Sequence, residues 1–267
     1  MRKSLLLLGL TLCLWPLAAQ AQIADNSFLV EEAYNQEPGV VQHINTLMRD
    51  RNRNLYYSLT QEWPVFSQKH QVSYTLPMQR VAGPVNTGRG LGDVALNYRY
   101  QLVGNEKIAV APRVTLLVPT GSATGETGAG SAGFQFNLPV SVQHSKHFVT
   151  HWNAGTTITP NARNVAGDRA GTTGFNLGQS TVWLAKPNFN LLVETVWDST
   201  QTVSGPGAQT REYGLLINPG VRWAHNFRNG LQIVPGIGVP IGVGPSRGER
   251  GLFFYLSFEH PFKKEKR

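Results

Sequence analysis

Charged side chains of both signs recur at alternate positions of short, otherwise apolar segments: Glu62, Asp93, Glu194, Glu212 and Glu259 with Arg99, Arg113, His151 and Arg222. If such residues share one face, they can brace a wet interior as ion pairs, and the similar numbers of both signs favour that pairing. The functional reading makes Arg99, Arg113 and Arg222 a lining selective for anionic solutes. His144, His147 and His151 have the spacing of metal ligands, but across a turn and with no acid or thiolate alongside, so no metal and no other cofactor is assigned. Gly128-Ala129-Gly130-Ser131-Ala132-Gly133 has the spacing of a dinucleotide loop, yet opens no helix and reads as loop flexibility. Ala129–Gly133 also lacks the first glycine of a nucleophile elbow. His43, His151 and His225 have no evident serine partner, so no catalytic residue is assigned and the chain is not read as an enzyme.

The elements that must position these side chains are strands. In Asp93–Leu102 the apolar residues Val94, Leu96, Tyr98, Tyr100 and Leu102 alternate with Asp93, Ala95, Asn97, Arg99 and Gln101. Phe134–Val142 repeats the pattern, as do Val72–Met78, Ile108–Val118, Phe189–Trp197, Tyr213–Trp223, Leu231–Ile241 and Leu252–Phe262. Leu55–Val65, Phe148–Ile158, Gly174–Leu184 and Val40–Met48 carry it more weakly, which makes 12 strands. Connections alternate between tight (Phe66–Gln71, Val103–Lys107, His144–His147, Ala185–Asn188, Asn226–Gly230) and long (Ala82–Gly92, Pro119–Ala132, Pro160–Thr173, Ser199–Thr210, Gly242–Gly251), with Arg49–Arg53 a short exception. Strands of membrane-crossing length with such loops predict an all-β fold: a closed antiparallel transmembrane β-barrel with short periplasmic turns and longer extracellular loops. Closure is required because a bilayer offers no water to satisfy a free strand edge. A secreted β-sandwich would also alternate, but without alternating loop lengths. Pro77, Pro112, Pro139, Pro219, Pro235 and Pro240 fall in or near these segments; rims or bulges would accommodate some, and the sequence gives no account of all six. Tyr98, Tyr100, Trp197, Trp223, Phe258 and Phe262 near segment ends suit interfacial girdles.

Composition agrees. The 267 residues are 41% hydrophobic, 10% aromatic and only 15% charged, which excludes a solvated disordered chain. Arg2 and Lys3, an apolar run from Leu5 to Leu17 and Ala19-Gln20-Ala21 read as a signal peptide over residues 1–21, cut at Ala21-Gln22. The one cysteine, Cys13, lies within it. Residues 22–39 precede the first strand and contain Phe28, Glu31, Glu32 and Glu37; they either fold inward and constrict the lumen or hang as a periplasmic tail. The barrel is assigned to 40–262 and a basic tail to 263–267. The formal charge of +8 comes from scattered Arg and Lys, which argues against a nucleic-acid stripe. Arg49, Arg51, Arg53, Arg89, Arg163, Arg169, Arg247 and Arg250 in the outer loops suit lipopolysaccharide phosphates. The aromatic end Leu252–Phe262 resembles the strand that barrel-insertion machinery reads in outer-membrane proteins.

Three stretches resemble one bacterial family: Asp25–His43 (DNSFLVEEAYNQEPGVVQH), Gly90–Tyr100 (GLGDVALNYRY), and Leu116–Gly121 (LLVPTG) ahead of a Gly-rich loop. The family is the outer-membrane transporters named after the phenol meta-cleavage pathway, and the resemblance spans most of the chain after residue 21. It implies a barrel in the cell outer membrane that passes small solutes, hydrophobic or aromatic among them, and brings no catalytic residues. The alternatives from other classes are an outer-membrane lipid hydrolase and a non-conducting structural barrel.

Overall fold

The computed structural model describes residues 25–82 and 87–262. The segment read as a signal peptide, its expected cleavage site, Cys13, the tail Lys263–Arg267 and the centre of the Ala82–Gly92 loop lie outside the described residues. Twelve strands make up the rest. They are β1 (Val40–Asp50), β2 (Leu55–Val65), β3 (Ser67–Ala82) and β4, which runs as Thr87–Leu91, Val94–Tyr100 and Val103–Gly104. Next come β5 (Ile108–Val110 and Arg113–Val118), β6 (Gly133–Ser145), β7 (Phe148–Arg163) and β8 (Arg169–Lys186). The last four are β9 (Phe189–Gly205), β10 (Ala208–Trp223, then His225–Asn226), β11 (Gln232–Gly238 and Ile241–Gly242) and β12 (Gly251–Pro261).

Each strand pairs antiparallel with its neighbour in sequence, and β12 returns to β1 in continuous register from Val40↔Pro261 to Asp50↔Gly251. The sheet is therefore a closed barrel with no free edge. Phe262 N–H donates to Gly39 C=O at 2.8 Å, so the chain enters and leaves the barrel at the same end.

The outer face is a belt of exposed apolar side chains. Leu96 and Tyr98 on β4, Phe134, Phe136 and Leu138 on β6, Leu177 and Trp183 on β8, and Leu252, Phe254 and Leu256 on β12 all face outward. A belt of that size is unsuited to water and suited to hydrocarbon. No helix among the described residues is long and apolar enough to cross a membrane.

Three sequence expectations change. First, Pro160–Thr173 and Ser199–Thr210 are not long loops. Strands β7 to β10 run on past the belt, leaving 164–168 and a tight turn at 206–207, where Gly207 takes φ +67°. Backbone pairing continues there because polar residues favour no alternative structure. Second, the inside is not purely polar: Ile44, Val149, Val182, Leu192, Val234, Phe253 and Tyr255 are buried within it. In β12 both faces are aromatic, so alternation alone cannot orient them. Third, the six prolines have a shared logic. Pro112 and Pro240 sit where β5 and β11 break, and Pro77, Pro139 and Pro219 lie opposite breaks in an adjacent strand. Their carbonyls accept Gly92 N–H (2.7 Å), Ala111 N–H (3.1 Å) and Val239 N–H (3.0 Å). Pairing of β11 with β10 stops at Gly236, one residue short of Pro235. A proline thus occupies each place where the ladder asks for no donor.

Candidate functional site

Residues 25–36 form no strand, yet most of them are buried. They run through the barrel interior, where backbone groups need partners. The wall supplies them. In-register pairing sets Ser141, His151, Ser180, Glu194 and Asn218 in one row across β6 to β10. Glu194 Oε1 accepts three consecutive backbone N–H groups, from Phe28 (2.9 Å), Leu29 (2.8 Å) and Val30 (3.0 Å). Its second oxygen accepts from Asn218 Nδ2 at 2.8 Å. Three amides converging on one carboxylate make an anion nest with the roles of wall and ligand joined in one chain. Ser180 shares a hydrogen bond with Ser27 (2.7 Å), and Ser141 Oγ accepts Ala33 N–H (2.8 Å). Asn153 grips Glu31 at both backbone groups, accepting its N–H and donating to its C=O at 2.9 Å each.

The other wall uses cations on carbonyls. Arg99 donates to Asn35 Oδ1 (2.8 Å), Glu32 C=O (3.1 Å) and Tyr34 C=O (2.7 Å). Arg222 donates to the carbonyls of Asp25 (2.9 Å) and Asn26. The Asp25 carboxylate in turn accepts from Gln42 Nε2, Tyr255 OH and Ser257 Oγ, each at 2.6 Å. Gln71 Oε1 accepts Gln36 N–H at 2.8 Å.

One apolar anchor completes the seat. Phe28 stacks on Phe253 and tilts against Tyr255, with ring centroids 5.5 and 5.4 Å apart. The wall behind it is glycine: a Cβ on Gly220, Gly236 or Gly238 would come within 2.4, 2.6 and 3.1 Å of the Phe28 ring. The missing side chains are the pocket.

The charged residues singled out in the sequence separate into distinct jobs. Glu62, Arg99, His151, Glu194 and Arg222 are buried inside, and Arg99 lies 3.9 Å from Glu62. Arg113 reaches Glu31 Oε1 at 2.9 Å. Gln36 Nε2 donates to Glu259 at 3.4 Å. Asp93 clasps a loop, its two oxygens accepting Gly121 N–H (3.0 Å) and Ala129 N–H (2.7 Å). Glu212 is exposed near the far end of β10. Of the N-terminal residues, Phe28 and Glu32 are buried, Glu31 is half-buried and Glu37 is exposed. Burial, reinforced by the Asp25 carboxylate and opposed by Arg99, pushes the Glu32 carboxyl up to about 8.

The histidines diverge. His144 bonds Thr150 Oγ1 (2.8 Å), His147 lies in the turn, and His151 points inside. His151 does have a serine partner, contrary to the sequence reading: Nδ1 lies 2.7 Å from Ser141 Oγ, a contact made by strand register rather than sequence proximity. That hydroxyl already accepts Ala33 N–H, and no carboxylate is hydrogen-bonded to the ring among the described residues. Sequence reasoning passed over Asp25, Gln42, Ser141, Asn153, Ser180 and Asn218. For the five on strands the signal is inward parity, which needs the pairing to be known; Asp25 lies outside the strands and offers no such signal.

A closed antiparallel barrel with an apolar belt is a fold shared with solved outer-membrane proteins. A channel from Pseudomonas putida F1 has that fold, superposing with a TM-score of 0.57 at 13% identity over 85% of this chain and 97% of its own. So do the NanC porin (TM-score 0.55, 10% identity, 83% and 100% covered) and the KdgM porin (0.51, 10%, 84% and 99%). No protein-family model matches the sequence, nor does any curated protein, so the likeness is one of fold.

Proposed function

We propose that this chain is an outer-membrane channel for small solutes, hydrophobic or aromatic ones among them, and that residues 25–36 are its removable stopper. The observation that carries the reading is the way that segment is held. Its backbone is gripped by side chains of the wall, with no strand pairing and with the chain itself at 37–39 as the covalent link, so it can leave without opening the barrel. The apolar belt supports placement in a membrane, and the three structural neighbours named above are outer-membrane channels or porins. Entry and exit of the chain at one end support a reading of that end as periplasmic. The opposite rim carries Arg49, Arg51, Arg53, Arg89, Arg163, Arg169, Arg247 and Arg250, which suits contact with lipopolysaccharide phosphates. The β12 end fits recognition by barrel-insertion machinery.

A non-conducting barrel is the second reading, favoured by how fully the segment fills the seat beside Phe253 and Tyr255. Swelling of liposomes loaded with small sugars or aromatic acids separates the two. Slow swelling with the full chain and fast swelling after deletion of residues 25–36 is expected. No swelling with either protein, in preparations whose unboiled and boiled forms migrate differently, would overturn the channel.

A further inference from the structure

Three arginines point inside the barrel, and their partners differ in kind. Arg99 and Arg222 are almost fully buried, and they reach the segment through backbone carbonyls, with the Asn35 side chain added for Arg99. Those bonds hold the segment's course and would be costly to exchange. Arg113 is different. Its side chain keeps 16% exposure, and its partner from the segment is a side-chain carboxylate, Glu31, which keeps 29%.

The surroundings of Arg113 are a built site. The guanidinium is oriented by Asn97 Oδ1 (2.8 Å) and Gln135 Oε1 (2.9 Å), both on neighbouring strands. Asn97 is itself held by Thr115 (2.7 Å) and Ser73 (3.1 Å). The buried Nε of Arg113 has no hydrogen-bond partner, so the fork has a donor to spare. Arg113 and Glu31 line a cavity of about 300 Å³ between the segment and the wall of β1 to β5. One side of that cavity carries small hydroxyls, with Thr46 bonded to Ser58 (2.7 Å) and Thr60 to Thr75 (2.8 Å). The other side carries Leu29, Ile44 and Phe253. The volume lies at the low end of pockets that hold small molecules.

We propose that Arg113 is a recognition site for the carboxylate of a small solute with an apolar body, and that Glu31 occupies it until such a solute displaces it. An arginine held in plane by two amide oxygens is a fork that matches a carboxylate. Glu31 is then a tethered competitor, present at an effective concentration in the millimolar range or above. Its displacement removes the ion pair between segment and wall, while Asn153 keeps the Glu31 backbone in place. This rests on the channel reading for its purpose, although binding is measurable without transport.

The test uses benzoate and its neutral isostere benzamide with the full chain in detergent, read by calorimetric titration. Benzoate should bind and benzamide should not. Glu31→Gln should tighten benzoate binding about tenfold by removing the competitor. Arg113→Gln should abolish it; if that variant fails to form a heat-modifiable barrel, Arg113→Lys should weaken binding by losing the fork. Equal binding of the two probes, or benzoate affinity unchanged by Glu31→Gln, would overturn the proposal. Liposome swelling is read separately, so benzoate binding with no swelling by either the full chain or the chain lacking residues 25–36 would sink the channel and leave the site standing.

Discussion

The ring of Phe28 fills the space that a side chain on Gly236 would need: a Cβ there would stand 2.6 Å from its Cε1 and 2.7 Å from its Cζ. Glycine in a strand interior weakens the strand, and it is tolerated where another group must come close. Here the close group is a side chain from a segment more than a hundred residues away in sequence.

Gly236→Val should therefore evict Phe28 while leaving the barrel intact. Valine is a good strand former, and the next nearest atom after the ring is Arg222 Cβ at 3.2 Å. Gly220 is a poorer choice, since a Cβ there also meets Ile237 C=O at 2.9 Å. Hydrogen exchange of residues 25–36 should speed up in Gly236→Val, with heat-modifiable migration retained. Unchanged exchange would contradict the packing argument.

Glu194→Gln should loosen the same segment by a different route. The variant keeps an oxygen for the amides of Phe28, Leu29 and Val30 but loses the charge that strengthens those bonds. Hydrogen bonds to charged groups contribute roughly 1–2 kcal/mol more than neutral ones, so exchange at these amides should rise about 5–30-fold. A change confined to residues far from 28–30 would be the wrong pattern.

Asp93→Ala should free the loop after β5 without touching the stopper. The carboxylate joins two stretches, Gly90–Asp93 and the 119–132 loop, and Gly128 must lack a side chain because a Cβ would lie 2.4 Å from Asp93 Oδ1. Thr120 adds a bond to Gly92 C=O at 2.7 Å. Limited proteolysis should cut within 119–132 faster in the variant, with liposome swelling unchanged.

Retention of the segment should weaken as pH rises. Glu32 binds its proton more tightly inside the barrel, at about 8, than at the usual 4.5 of a free carboxyl. Docking takes up a proton across that window and is favoured below it. Swelling rates should therefore increase from about pH 5 to about pH 8, and Glu32→Gln should flatten the profile. An increase toward acid pH would reverse the sign and refute the account.

Much of the barrel is readable in one dimension. Alternation in Asp93–Leu102 and Phe134–Val142 marks strands because successive side chains point to opposite faces, and a polar half-set then needs an interior. What alternation could not do is orient a strand whose two faces are both apolar, as in Leu252–Phe258. Nor could it see that residues 160–163 and 199–205 extend their strands, because polar residues pair by backbone alone. The charges at Arg99, Glu194 and Arg222 stand out in the sequence. The amides and carbonyls they hold do not, since a backbone group has no residue type.

From sequence alone, then, come the strands and the apolar belt, both of them consequences of local periodicity. Only the closed three-dimensional barrel decides what the inward set is for. Register places Ser141 beside His151 and Glu194 beside Asn218, and three glycines on two strands converge into a seat for Phe28. The strand pairs lie 10 and 24 residues apart and Phe28 about two hundred from its glycines, and all follow from how strands align, which local pattern cannot specify.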